Sequence, residues 1–316
     1  MWKASELKWK DFELTSFCNI RCPQCFREEK EVAEQLKNKN LLSLDIIKKK
    51  FTPILFPKVN HINFCGSIDE PTTHPEFLKI CNYFKDWNDD MFINIATNGS
   101  LRTTKWWAEL PKYLPKKHNV VFGIDGSDKL SEVYRRGSNF NKVRENWRAF
   151  INAGGTAIWQ FIVMEHNKHQ LDTAKQLAKD EGFLKFKTIY SHRKNTETIK
   201  YNHKKQISET PEIKCHYLKD NRIFVNHLGN IIPCCFLNSK MLEYGVLKNV
   251  KDRFEKIISD NGDLLGNNIA YNTVPEIIEG DVFSEIIDSW SDGNYIPKCK
   301  ESCQVNNRDN FKKVSL

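Results

Sequence analysis

The sequence predicts an α/β protein: a partial (β/α)6 TIM-like barrel with a small C-terminal cysteine-rich auxiliary domain. Three observations carry this. Strand-like and helix-like segments alternate six times over roughly the first 190 residues. The Gly, Asn, Asp and Cys residues of that region gather just after the strand-like segments. Five of the ten cysteines fall at or after residue 215.

The first strand is read at Phe12-Glu13-Leu14-Thr15, followed by helical periodicity from Leu42 to Leu55. His61 to Cys65 reads as a strand ending at Gly66. His74 to Trp87 reads as an amphipathic helix with Phe77, Ile80, Cys81 and Phe84 on one face. Met91 to Ala96 is the third strand, and Thr103 to Leu114 a helix made irregular by Pro111. Asn119 to Ile124 is a strand ending at Asp125-Gly126, and Phe140 to Ala153 a helix closed by Gly154-Gly155. Thr156 to Val163, Lys168 to Glu181 and Phe183 to Ile189 complete the series. Six steps fall short of the eight that close a full barrel. Right-handed crossovers imply a parallel sheet, with ligands at the carboxyl ends of its strands.

Beyond residue 190 the alternation stops. A polar stretch with Arg193, Lys194, Lys200, Lys204 and Lys205 reads as a basic linker. Arg222 to Val225, a turn at Gly229-Asn230 and Ile231-Ile232 read as a hairpin. Phe254 to Ile258 and Phe283 to Trp290 look helical. The resulting division is a barrel over 1–195, a basic linker over 196–213 and the auxiliary domain over 214–316.

Composition limits the classes. The chain of 316 residues is 40% hydrophobic and 28% charged, which suits a packed core and argues against disorder. No apolar run approaches the length of a membrane span, and the N-terminus has no apolar signal core, so a cytoplasmic location without membrane partners is expected. The net charge of +8 would suit an anionic partner; a lysine-rich solvated surface explains it more simply, so nucleic acid is not the favoured partner. Ten cysteines in a reducing compartment need a use other than disulfides.

Cys18, Cys22 and Cys25 form a C-x-x-x-C-x-x-C loop just after the first strand. Three thiolates on one short loop can hold an iron–sulfur cube with one iron left without a protein ligand. The competing reading is a structural zinc site, with His61 or His74 as fourth ligand.

The stretch from Glu13 to Arg27, with Phe26 beside the last cysteine, resembles the signature loop of the radical S-adenosylmethionine superfamily. Over the first 190 residues, further segments resemble that family in order. Gly66-Ser67-Ile68-Asp69-Glu70-Pro71 is similar to its Gly-Gly-Glu-Pro segment, with Asp69 where the second glycine is usual. Thr97-Asn98-Gly99 resembles the segment near the nucleoside, and Asp125-Gly126 the one after the fourth strand. Tyr134-Arg135-Arg136-Gly137 resembles the stretch that meets the methionine carboxylate, and Asn167 loosely matches a ribose contact. The resemblance implies a [4Fe–4S] cluster on Cys18, Cys22 and Cys25. It implies S-adenosylmethionine held by Gly66, Ser67, Asp69, Glu70, Thr97, Asn98, Arg135, Arg136 and Asn167. It also implies a reductant such as a flavodoxin or ferredoxin. Asp125 is the candidate catalytic residue, as a base or a ribose contact; a strand-end cap is the equally weighted reading.

Cys215 and Cys234 bracket the C-terminal hairpin, and Cys299 and Cys303 lie far downstream. Two pairs of cysteines can supply four ligands, for a [4Fe–4S] cluster or for structural zinc. Cys235 competes with Cys234, since adjacent residues in a strand face opposite ways. The segment resembles the SPASM auxiliary-cluster extension in its shortened twitch form, which implies a second auxiliary [4Fe–4S] cluster. Cys65 and Cys81 read as buried small hydrophobes, and Trp106-Trp107 as packing.

The functional expectation is an enzyme. Reductive cleavage of S-adenosylmethionine would give a 5′-deoxyadenosyl radical, and that radical would abstract hydrogen from a peptide, as in a maturase, or from a small molecule, as in a dehydrogenase. The alternatives are a zinc or iron–sulfur module contacting nucleic acid, and an RNA-modifying radical enzyme.

Overall fold

The computed structural model describes residues 1–190, 208–238, 252–261, 263–305 and 313–314. Most of the expected linker, 196–207, and its basic residues lie outside the described residues. In chain order the strands are β1 (Trp9–Phe12), β2 (His61–Phe64), β3 (Phe92–Thr97), β4 (Lys117–Gly123), β5 (Ala157–Val163), β6 (Lys185–Tyr190), β7 (Arg222–Val225), β8 (Ile231–Ile232) and β9 (Lys313–Val314). The chain divides into two compact units. One comprises Met1–Ser16, Glu29–Asn63 and Gln206–Arg308; the other comprises Phe17–Glu28, Phe64–Lys205 and Asp309–Leu316.

In the first unit, β1 runs parallel to β7, with Trp9 opposite Arg222 and Phe12 opposite Val225. β7 folds back antiparallel onto β8, placing Phe224 opposite Ile232. The tight return needs Gly229, whose φ of 82° is open to glycine at little cost. Several of the short helices around this framework open on a side-chain cap. Ser43 accepts the Ile46 amide ahead of Leu44–Lys50. Asp252 with Glu255, and Thr273 with Glu276, form capping boxes ahead of Arg253–Asp260 and Val274–Ile278. Their apolar faces bury Phe254, Ile257, Ile258 and Ile277, and Asp281–Asp288 adds Phe283 and Ile286.

In the second unit, β3, β4, β5 and β6 are parallel neighbours in that order, and β9 pairs antiparallel with β6. Helices Thr104–Glu109, Phe140–Asn152 and Leu171–Asp180 lie on the crossovers between these strands, and Phe77–Trp87 precedes β3. The helix Thr104–Glu109 ends ahead of Pro111, and Leu110–Tyr113 continues as 3-10 helix. An aromatic cluster fills the helix–sheet layer: Trp147 lies 5.2 Å from Trp159 and 5.5 Å from Phe183, and Trp107 5.2 Å from Phe122. Burying rings of this size contributes about 1.5–3 kcal/mol each. The mostly parallel α/β architecture is the one the sequence predicts. The first strand falls earlier than expected, at Trp9–Phe12, while Thr15 makes an isolated bridge to Leu41.

Candidate functional site

The cysteine loop belongs to the second unit. The Cys25 N–H donates to the Cys22 carbonyl at 2.9 Å, and the Glu28 N–H to the Cys25 carbonyl at 2.9 Å, so the chain turns twice before the 3-10 helix Phe26–Glu28. Its flanks are pinned. The Arg21 N–H donates to the Arg136 carbonyl at 2.8 Å, Arg27 Nη1 to the Ile68 carbonyl at 2.6 Å, and the Glu70 N–H to the Phe17 carbonyl at 2.9 Å. All three thiols are half-buried. Burial pushes the Cys18 thiol up to about 12, and the charges of Glu70 and Cys22 push the same way. Such a thiol stays protonated in water alone; iron in place of the proton stabilises the thiolate.

Glu70 organises the loops after β2 and β3. Its Oε1 accepts the Thr72 and Thr97 hydroxyls at 2.7 Å each, and its Oε2 accepts the Asn98 N–H at 2.7 Å. Burial raises the carboxyl above the usual range, while these donors favour the anion. The Asn98 side-chain amide donates to Asn19 Oδ1 at 3.0 Å and lies 3.8 Å from Cys18 Sγ. Gly66 and Gly99 take positive φ, 57° and 69°. At Gly99 a Cβ would lie 2.8 Å from the Phe122 ring, so that turn requires glycine. Gly66, Asp69, Glu70, Thr97 and Asn98 thus share the strand ends with the cysteine loop; Ser67 is half-buried on the same loop.

After β4, Asp125 is fully buried and its Oδ2 meets Arg135 Nε at 2.9 Å. Its Oδ1 accepts the Ile162 N–H at 2.8 Å. Burial raises the Asp125 carboxyl, and the Arg135 charge opposes that. Gly123 makes room for the guanidinium: a Cβ there would strike it at 2.6 Å. Arg136 is exposed. Asn167 donates to the Asp125 carbonyl at 3.0 Å and the Ile162 carbonyl at 2.9 Å, and accepts the Met164 N–H at 2.7 Å, so its amide ties two strand ends together. Tyr134 and Met164 pack together, with Cys22 against them. Sequence reasoning gave no individual role to Asn19, Arg27 and Tyr134, which lie in segments that carried the resemblance, and passed over Gly123. Gly123 carried a signal of its own, a glycine at a strand's carboxyl end.

The C-terminal cysteines lie in the first unit. Cys299 and Cys303, one helical turn apart on Pro297–Cys303, share a face. Cys215 caps the short helix His216–Lys219, with the Leu218 N–H 3.5 Å from its Sγ. The Lys214 N–H donates to the Cys303 carbonyl at 3.0 Å, which joins the two segments. Burial raises the Cys234 thiol well above its usual value, and charge on Cys235, Cys299 and Cys215 adds to it. Cys299 is pushed up to about 12 by burial and by Cys303 and Cys215. Cys235 sees Tyr217, Asp11, Arg222 and Glu13 instead. The charges felt at Cys234 therefore include those of Cys215 and Cys299, whereas Cys235 feels those of Asp11, Arg222 and Glu13. Among the described residues no three His, Cys, Asp or Glu side chains are gathered around a single metal-ion position. Suitability for clusters rests on the donor chemistry: soft thiols on short, pinned loops.

No helix among the described residues is long and apolar enough to cross a membrane. The chain matches the family model described as the radical SAM superfamily over residues 12–177. It is 35% identical over 128 residues to a tungsten-containing aldehyde ferredoxin oxidoreductase cofactor-modifying protein of Pyrococcus furiosus, covering 36% of this chain and 33% of that protein. It is 25% identical over 143 residues to a cysteine-type anaerobic sulfatase-maturating enzyme of Clostridium novyi, covering 42% of this chain and 37% of that one. The matches thus span about a third of the length of these curated relatives. The solved structure of anSMEcpe with bound AdoMet, also solved with a Cp18Cys peptide, shares the fold at a TM-score of 0.59 and 16% identity, over 98% of this chain and 92% of that one. The family model covers more than half of the sequence, including all three loop cysteines, and the chain belongs to the radical SAM superfamily, enzymes that use a [4Fe–4S] cluster and S-adenosylmethionine.

Proposed function

We propose that this chain is a radical S-adenosylmethionine maturase that abstracts hydrogen from a side chain of a peptide substrate. One observation carries the reading: the Cys18 loop, the buried Glu70 carboxylate and the Asn98 turn are joined by hydrogen bonds into one strand-end site. Cys18, Cys22 and Cys25 would hold the cluster. When bound, the cluster and S-adenosylmethionine supply a 5′-deoxyadenosyl radical that removes a hydrogen atom from substrate. Glu70 offers negative charge for an amino group, and Arg135, oriented by Asp125, offers positive charge for a carboxylate. In this assignment Asp125 aims Arg135, and Asn167 holds the loops on either side. Ser67, Asp69 and Thr97 line the same strand ends; Arg136 contributes its carbonyl to the cysteine loop.

The peptide class is supported by the relatives, one named as a sulfatase-maturating enzyme and one solved with a peptide. Residues 214–316 would form the twitch-like extension, with Cys215, Cys234, Cys299 and Cys303 holding a second [4Fe–4S] cluster. A flavodoxin or ferredoxin is the proposed reductant, and a reducing compartment such as the cytoplasm the setting, since ten cysteines must stay reduced. The test is anaerobic reconstitution with dithionite and deuterated peptides that carry cysteine or serine. The reading expects peptide-stimulated 5′-deoxyadenosine that carries deuterium from the peptide. Turnover stimulated by small molecules alone would shift the substrate class; no 5′-deoxyadenosine at all would overturn the reading.

A further inference from the structure

We propose that Asp11, Tyr217 and Arg222 form a buried support that sets the reduction potential of the cluster on Cys215, Cys234, Cys299 and Cys303, an inference that rests on the auxiliary-cluster reading above. Asp11 is fully buried, and both its oxygens are engaged. Oδ1 accepts Asn63 Nδ2 at 2.9 Å. Oδ2 accepts the Tyr217 hydroxyl at 2.5 Å, Arg222 Nε at 2.7 Å and Arg222 Nη2 at 2.5 Å. The Arg222 guanidinium is layered between two rings, 3.9 Å from the centre of Trp9 and 4.2 Å from that of Tyr217, and Trp9 in turn stacks on His61 at 3.7 Å.

A buried ion pair roughly breaks even with apolar packing, so its value lies elsewhere than in stability. Its location suggests where. Tyr217 lies two residues beyond Cys215, and its hydroxyl oxygen also receives the Cys235 N–H at 3.4 Å, on the peptide that follows Cys234. One phenol therefore ties together two segments that would carry ligands. The strands beneath supply its charges: Asp11 on β1 and Arg222, directly across the ladder from Trp9, on β7. Hydrogen bonds and fixed charges just outside the ligands tune both metal geometry and potential.

The sign follows from Coulomb's law. Reducing a cluster adds one negative charge, which a nearby cation favours and a nearby anion opposes. Paired, Asp11 and Arg222 nearly cancel. In D11N the isosteric amide leaves Arg222 uncompensated, and the midpoint should rise. In R222Q the carboxylate is left uncompensated, and the midpoint should fall. Y217F keeps both charges and breaks only the tie.

The experiment uses the full chain carrying C18A, C22A and C25A, so that only the second cluster remains. Iron is counted, and the midpoint is read by EPR-monitored redox titration. The expected result is about four irons per chain, from the stoichiometry of one cube, with midpoints displaced in opposite directions by D11N and R222Q. Y217F should retain iron and alter the EPR line shape. Identical midpoints at full iron content, or displacement in one direction by both charge variants, would overturn the proposal. Loss of iron from all three variants would overturn it too, by showing a purely structural network. A parent without iron would instead sink the auxiliary-cluster reading, and this proposal with it.

Discussion

Glu70 accepts the backbone N–H of Asn98 at 2.7 Å, so a carboxylate on the loop after β2 fixes the turn after β3. The same group is buried and surrounded by three more donors from Thr72 and Thr97. E70Q keeps the shape but removes the charge and turns one acceptor into a donor facing other donors. Charge-assisted bonds contribute about 1.5–3 kcal/mol each, so S-adenosylmethionine should bind roughly tenfold to a hundredfold more weakly. Equilibrium dialysis with the reconstituted protein checks this. Unchanged affinity would remove Glu70 from the site.

Replacing Cys18, Cys22 and Cys25 together by Ala should abolish 5′-deoxyadenosine formation under dithionite and lower the iron content by about four per chain. Undiminished product would detach the cysteine loop from the chemistry. Stoichiometric zinc in the same variant after anaerobic purification would identify the C-terminal thiols as a zinc site.

Arg135 is the counter-ion of a fully buried carboxylate, Asp125. R135M removes it and should cost about 3–5 kcal/mol, the range found when a buried pair loses one member. D125N in the same background should recover part of that loss. Urea unfolding of the three variants reads the cycle; an additive result would show that the two side chains are not coupled.

Glu181 closes the helix before β6 and gathers Arg148, Arg144 and Trp147. Burial pushes its carboxyl up, but these donors prevail and bring it down to about 2. A lowered carboxyl stabilises the fold above its unfolded value and loses that contribution as pH falls. The window therefore runs from about pH 4.5 down to about 2. Arg148 is half-exposed, so the contribution is discounted to about 1 kcal/mol. E181Q should flatten the acid limb of stability against pH. An unchanged acid limb would show that the cluster of charges carries no net stability.

Much of this was legible in the chain because strand ends announce themselves. Gly66, Gly99 and Asp125 mark turns whose backbone or capping needs limit the residues allowed there. The hairpin Arg222–Val225 and Ile231–Ile232 followed from alternation around Gly229. What pattern alone could not convey is partnership across long separations. Nothing near Trp9 signals that it pairs beside Arg222, and nothing near Cys234 tells it from Cys235. Arg135 and Arg136 are likewise equivalent as text, and only the structure shows that Arg135 is the one that meets Asp125, beside the space left by Gly123. The helix Pro297–Cys303 escaped because one turn of periodicity is too short to register.

The parallel pairing of β1 with β7 also constrains how the chain comes into being. Trp9 leaves the ribosome some two hundred residues before its ladder partner Arg222, an interval of about 10–40 s at ordinary elongation rates. Throughout that interval Asp11 lacks the cation that makes its burial tolerable. Burying a carboxylate without its counter-ion is costly, so burial of Asp11 is favoured only once Arg222 is present. The buried acid therefore gains its cation only when Arg222 has been made, and full pairing of the first strand waits for that later segment. Chains halted before residue 222 should leave the amides of residues 9–12 open to hydrogen exchange.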